Sequence, residues 1–129
     1  MDDTLLDRIA FDSTGLVPVI AQAHGTGEVL MLAWMNRDAV RETLTTGRVC
    51  YYSRSRKALW RKGEQSGQVQ RLIELRLDCD DDALLAIVDQ TGVACHTGRR
   101  SCFFTALSAD GAKTIAEVLI PPETLYGQG

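Results

Sequence analysis

In the stretch Leu75-Arg76-Leu77-Asp78-Cys79-Asp80-Asp81-Asp82, four carboxylates and a thiol fall within five consecutive residues, a density found nowhere else in the chain. Upstream, Ile73, Leu75 and Leu77 alternate with Glu74, Arg76 and Asp78. This is the period-2 pattern of a half-buried strand, whose successive side chains face opposite ways, and it predicts a strand over Val69–Asp78. Carried forward, the alternation sets Asp78, Asp80 and Asp82 on one face and Cys79 on the other. The end of the strand then offers hard oxygens on one side, suited to magnesium, and a soft sulfur on the other, suited to zinc. Alternate residues of an extended strand lie about 6.5 Å apart, so a bend is required before all three Asp can reach one ion. The plainer reading is a solvated acidic turn. An EF-hand is excluded, because its sixth position needs a turn-making glycine. This chain has Ala83 there, opening the apolar run Ala83 to Val88, which predicts a further strand.

A chain of 129 residues forms one domain by the usual prior and buries roughly two thirds of the surface that it exposes when unfolded. Its 45% hydrophobic content suffices for a core. The apolar run Val29 to Met35 falls well short of the ~18 to 20 residues needed to cross a bilayer. The start, Met1-Asp2-Asp3-Thr4-Leu5, lacks the positive region and apolar core of a secretory signal, so a cytoplasmic location is expected. Cys50, Cys79, Cys95 and Cys102 are then reduced, and metal ligation or burial must account for them. The net charge of -3 argues against general nucleic-acid affinity, which rests on neutralising phosphates. Phosphate binding, if present, must be local.

Taken in order, Leu5, Leu6 and Ile9 fall at helical spacing, and Gly15 precedes a first strand from Val17. Gly25 and Gly27 predict a hairpin turn into a buried second strand, Val29 to Met35. Asn36 is a candidate N-cap for a helix over Arg37 to Thr46, closed by Gly47, with Ala39, Val40 and Leu44 facing the core. A third strand is expected over Val49 to Ser53. The segment Ser53 to Glu64 then concentrates Arg54, Arg56, Lys57, Arg61 and Lys62 in an otherwise acidic chain. It is either a phosphate-contact region or an exposed basic loop balancing nearby acids. Its hydroxyls and guanidinium forks suit phosphate oxygens, and Trp60 offers a flat face to a purine or ribose. Cys95 and Cys102 are spaced more widely than a zinc-finger knuckle, so they gain weight as a zinc pair only together with Cys79. Gly98 lets their loop turn tightly, and Arg99 and Arg100 lie beside it. The tail beyond Phe104 is turn-rich and poorly patterned.

Five stretches acquire meaning together: Met31-Leu32-Ala33-Trp34-Met35-Asn36, Tyr52-Ser53-Arg54-Ser55-Arg56, Leu59 to Gly67, Leu77 to Leu85, and Cys95-His96-Thr97-Gly98-Arg99-Arg100-Ser101-Cys102-Phe103. In this order, from about Leu16 to Phe104, the chain closely resembles the phosphoribosyl-AMP cyclohydrolase family of histidine biosynthesis. The resemblance implies a single α+β domain over residues 1–129, with a mixed or antiparallel sheet and few helices, assembled as a homodimer in the cytoplasm. It also implies hydrolysis of the N1–C6 bond of the adenine ring of 1-(5-phosphoribosyl)-AMP. At this length no fused phosphoribosyl-ATP pyrophosphatase domain is expected. Carried onto this sequence, Asp78, Asp80 and Asp82 would hold magnesium, and Cys79, Cys95 and Cys102 a zinc shared between subunits. Ser53, Arg54, Arg56, Trp60, Lys62, Arg99 and Arg100 are the candidate substrate contacts. Two positions depart from the family pattern: Gln68 stands where relatives often carry His, and Cys50 where His or an apolar residue is common.

Three thiolates leave zinc an open position for water, the arrangement of catalytic sites. His96, beside Cys95, is the candidate proton shuttle, since its ordinary pKa lies near neutrality. A rival reading is a non-enzymatic zinc-structured module that holds a nucleotide or RNA, with Cys50 as a fourth thiolate closing the site. The acidic balance and the Asp cluster weigh against it. A zinc deaminase is excluded by the absence of its His-x-Glu and Pro-Cys-x-x-Cys signature.

Overall fold

The computed structural model describes residues 1–126. The chain opens with a 3-10 turn, Asp3–Arg8, which buries Leu6. Strand β1 (Val17–Ala23) buries every second residue, namely Val17, Val19, Ala21 and Ala23, as period-2 patterning requires. It turns through Gly25 and Gly27, both at positive φ, into β2 (Val29–Met35). Helix α1 (Arg37–Thr46) has the expected bounds. The Asn36 side chain accepts from the Ala39 amide at 2.8 Å, satisfying an orphan donor of the first turn, and Gly47 closes the helix in the left-handed conformation. Strands β3 (Cys50–Ser53) and β4 (Ala58–Arg61) follow, then β5 (Gln70–Leu77), β6 (Leu84–Gln90), β7 (Thr105–Ser108), β8 (Gly111–Thr114) and a short helix α2 (Pro122–Tyr126).

Four of these strands make a mixed sheet in the order β2-β1-β6-β5. The outer pairs are antiparallel hairpins, and the central pair, β1 with β6, is parallel, with Val19 opposite Leu84 and Ala21 opposite Ala86. Strands β3 and β4 form a separate antiparallel ribbon, held to β5 where the Val49 amide donates to the Gln70 carbonyl at 3.0 Å. Side chains from the sheet, α1 and β3, including Val17, Leu30, Met35, Val40, Tyr51 and Val88, share one core. Inside that core the fully buried Tyr51 hydroxyl donates to Gln70 Oε1 at 2.6 Å, and Gln70 Nε2 donates to Gln90 Oε1 at 2.8 Å. Gln90 Nε2 passes the chain of bonds on to the carbonyls of Thr91 and Val93 at 2.9 and 3.3 Å. This buried polar relay ties the sheet to the loop that carries Cys95. No helix among the described residues is long and apolar enough to cross a membrane.

The single domain with a mixed sheet and few helices matches the expectation, and four details correct it. Strand β2 is not buried throughout: Val29 and Leu32 are exposed, and so is Ile20 of β1, the residue paired with Leu32, because this part of the sheet has one uncovered face. Strand β5 stops at Leu77 and contains a bulge: Leu72 opposes Val88 but Glu74 opposes Ile87. The extra residue reverses the alternation, turning Leu72 inward and leaving Ile73 exposed. The basic segment is not a loop throughout, since β4 runs through it. The tail holds the β7–β8 hairpin, invisible to burial patterning because all eight of its strand residues are exposed.

Candidate active site

The turn between β3 and β4 gathers the basic residues at one rim of a cleft of about 1080 Å³. Ser53 Oγ accepts from the Arg56 amide at 3.2 Å and meets Ser55 Oγ at 3.3 Å, which shapes the turn. The Arg54 guanidinium lies 4.6 Å from the ring centre of Trp34 on β2, a cation–π contact that orients it. Trp60 leans on Tyr51 with ring centres 5.5 Å apart, and Arg61 is forked to Glu42 of α1 at 2.7 and 2.8 Å. Ser53, Arg54, Arg56, Trp60 and Lys62 all line the cleft, and so does His96 from the distant cysteine loop. Lys62 differs from the other basic residues of this segment in being buried.

The loop after β6 is fastened from several directions. The Gln68 side chain accepts from the Val93 amide at 3.1 Å, Lys62 Nζ donates to the Ala94 carbonyl at 2.6 Å, and the Cys102 amide donates to the Leu30 carbonyl at 2.7 Å. Within the loop, the amides of Ala94 and Cys95 donate to the carbonyls of Arg100 and Arg99 at 3.0 and 3.1 Å. Two glycines make this packing possible. A Cβ on Gly92 would stand 1.8 Å from Gln68 Oε1, and one on Gly98 would stand 1.8 Å from the Ile120 carbonyl oxygen. Cys95 is buried and accepts from Thr97 Oγ1 at 3.1 Å, while His96 next to it is exposed. Cys102 keeps part of its surface in solvent, yet desolvation of its thiol and the neighbouring Cys95 push it up to about 12. Arg99 and Arg100 do not line the cleft. Arg99 donates to the Ala116 carbonyl at 3.0 Å and stacks on Phe104, and Arg100 donates to the Gly92 carbonyl at 2.7 Å and pairs with Glu28.

The acidic stretch is a hairpin turn, so the alternation does not continue past Leu77. Asp78 Oδ1 accepts from the amides of Asp82 and Ala83 at 3.0 and 3.2 Å, and Asp81 sits at φ 67°. The required bend is present, and it gathers oxygens of Asp78, Asp80 and Asp82 within 4.8 Å of one another. Hydrogen bonding to Asp80, desolvation and the charges of Asp80 and Asp78 push Asp82 up to about 6. For Asp78 desolvation acts upward, but the donated amides of Asp82 and Ala83 together with side-chain hydrogen bonding to Asp80 and Asp82 outweigh it and hold the carboxyl below its ordinary value. Cys79 is exposed in the same turn. Among the described residues this trio is the only group of His, Cys, Asp and Glu close enough to share an ion within one chain, so Cys79 does not join Cys95 and Cys102 there.

Cys50 belongs to the core, its amide bonded to Thr43 Oγ1 at 2.9 Å, and burial with the nearby Glu42 pushes its thiol up to about 12. Arg61, Glu64 and Tyr126, which are not among the candidate substrate contacts, also line the cleft. Arg61 and Glu64 lay within the basic segment and were legible as part of it, whereas Tyr126 carried no local signal. A model of the family described as phosphoribosyl-AMP cyclohydrolase matches residues 31–104. Curated relatives bearing that name include one from Granulibacter bethesdensis, 69% identical over 124 residues that make up 95% of this chain and 97% of that protein. Another, from Alkalilimnicola ehrlichii, is 67% identical over 95% of this chain and 86% of its own length. A third, from Rhodospirillum centenum, is 63% identical over 98% and 96%. These likenesses show that the chain belongs to the phosphoribosyl-AMP cyclohydrolase family.

Proposed function

We infer that the chain hydrolyses the N1–C6 bond of the adenine ring of 1-(5-phosphoribosyl)-AMP in histidine biosynthesis, the activity for which its relatives are named. One observation of the structure carries the reading: a single cleft joins a cationic, hydroxyl-rich turn and a tryptophan face to an exposed imidazole adjacent to a buried cysteine. Arg54 and Arg56 suit the substrate phosphates, and Trp60 suits the purine. Water adds at C6, the C6–N1 bond breaks, and N1 takes a proton. His96, exposed on the cleft wall, is placed to move that proton.

The residues fit the two metals that the family resemblance implies. Magnesium seeks several converging oxygens, and the Asp78, Asp80 and Asp82 carboxylates converge with a mutual repulsion that a divalent cation relieves. Zinc seeks thiolates, and Cys95 lies close enough to Cys102 to help push its thiol up. Cys95, Cys102 and a third protein thiolate would hold the zinc, which would supply a water activated at neutral pH. Cys79 is exposed in a turn that lines no part of this cleft. A homodimer in which each chain lends Cys79 and the acidic turn to its partner's cleft reconciles that separation with one site.

Protein stripped of metals and resupplied with zinc, magnesium or both should regain hydrolysis of 1-(5-phosphoribosyl)-AMP, followed by ultraviolet absorbance, only when zinc returns, with magnesium increasing it. Mixing a Cys79→Ser chain with a Cys95→Ser chain should restore part of the activity that each lacks alone. No turnover under any metal condition would sink the reading, and no complementation would sink the shared site.

A further inference from the structure

Lys62 is the one cation of the basic segment withdrawn from water, at 6% exposure. Its ammonium donates to the Ala94 carbonyl at 2.6 Å and lies 5.5 Å from the ring centre of Trp60. Among the described residues no carboxylate stands within ion-pair distance of it. A buried ammonium without a counter-charge is costly, and a nearby negative charge relieves that cost. Ala94 directly precedes Cys95; burial holds the Lys62 ammonium below its ordinary pKa, and Cys102 and Cys95 stand near enough to oppose that burial in part. A divalent zinc held by three thiolates carries one excess negative charge, and Lys62 carries the single positive charge that balances it.

We propose that Lys62 is a positioning residue of the metal centre: it anchors the cysteine loop through Ala94 and neutralises the thiolate ligands, and is not a contact for substrate phosphate. This rests on the zinc reading given above. The division of labour follows the exposure of each cation. Arg54 and Arg56 are exposed at the rim, where phosphates can meet them, whereas Lys62 is buried with one Nζ donor directed at the Ala94 carbonyl.

The test is zinc affinity, measured without substrate by competition with a chromophoric chelator. The full chain would be compared with Cys95→Ser, Lys62→Met, Lys62→Gln and Lys62→Arg, with folding checked by circular dichroism. Outer partners of metal ligands typically contribute about 10- to 100-fold in affinity. Lys62→Met and Lys62→Gln should both lose that much, and Lys62→Arg, which keeps the charge, should recover most of it. Lys62→Gln binding zinc as tightly as the unaltered chain, while its KM for substrate rises, would overturn the proposal. An Arg variant as impaired as the Met variant would also overturn it, because packing rather than charge would then be at work. If the unaltered chain binds zinc no better than Cys95→Ser, the zinc reading itself has failed.

Discussion

The acidic turn and the cysteine loop are both short connections carrying candidate metal ligands, but they are held in opposite ways. Asp78 organises much of the first from within, accepting from two amides of its own turn, and its carboxylate faces solvent; the one outside tie among the described residues is the N-terminal segment, where the Ala10 amide donates to the Asp81 carbonyl at 2.7 Å and Arg8 pairs with Asp81. The second is fastened by Gln68, Lys62, Gln90 and the Leu30 carbonyl, contributed by separate parts of the fold. The contrast follows from the ligands. Hydrated carboxylates need little enforcement, and a hard cation accepts water in place of a missing ligand. Thiolates drawn partly out of water must be placed by their surroundings, so the cost of position falls on the rest of the chain.

The sharpest way to break this contrast is at the sulfurs. Cys95→Ser or Cys102→Ser should abolish zinc binding and reduce turnover to background, whereas Asp82→Asn should leave bound zinc, assayed by metal analysis, unchanged. Next in size, His96→Ala should lower kcat by about 100-fold while zinc stays bound, as for loss of a general acid–base group. Unchanged turnover would remove His96 from the mechanism. On stability the two loops should differ again. Gly98→Ala drives a Cβ against the Ile120 carbonyl at φ 86° and should cost at least about 1–3 kcal/mol in denaturant unfolding. Asp81→Gly, at the left-handed position of the acidic turn, should change stability by less than about 0.5 kcal/mol, because relief of local strain offsets added freedom in the unfolded chain.

A pH dependence sharpens the same point. Without divalent cations, Asp82 binds its proton more tightly in the folded state, near pH 6, than in the unfolded chain, near 3.8. Its contribution is therefore complete below about pH 4 and is lost as pH rises through about 6. A melting series across that window should show a small decline in midpoint that added magnesium cancels and Asp82→Asn abolishes. A series that stays flat in all three samples would mean that the carboxylates do not repel one another.

Local chemistry was legible from sequence, and tertiary placement was not. Asn36 and Gly47 mark the ends of α1 because caps act within one turn. The bulge at Ile73 left no mark, since Leu72 and Ile73 are both apolar and only pairing with β6 decides which faces inward. The three alternate Asp were readable as a cluster of oxygens, yet a bend gathers them, and not the extended strand that their alternation suggests. Lys62 was visible as a charge, but its burial depends on Ala94, thirty-two residues on. Cys50 was ambiguous for the same reason, and the packing of α1 against β3 places it in the core.

The parallel pairing of β1 with β6 also has a temporal consequence. A hairpin such as β1–β2 can close in microseconds from neighbouring residues, but the centre of this sheet joins residue 19 to residue 84. During synthesis the first strand therefore waits, with one edge unpaired, until nearly two thirds of the chain has emerged, and long-range closure of this kind slows folding. Arrested nascent chains ending before Leu84 should remain open to protease, and those extending beyond the cysteine loop should become resistant. Protection already present in the shorter chains would show that the sheet assembles without its central partner.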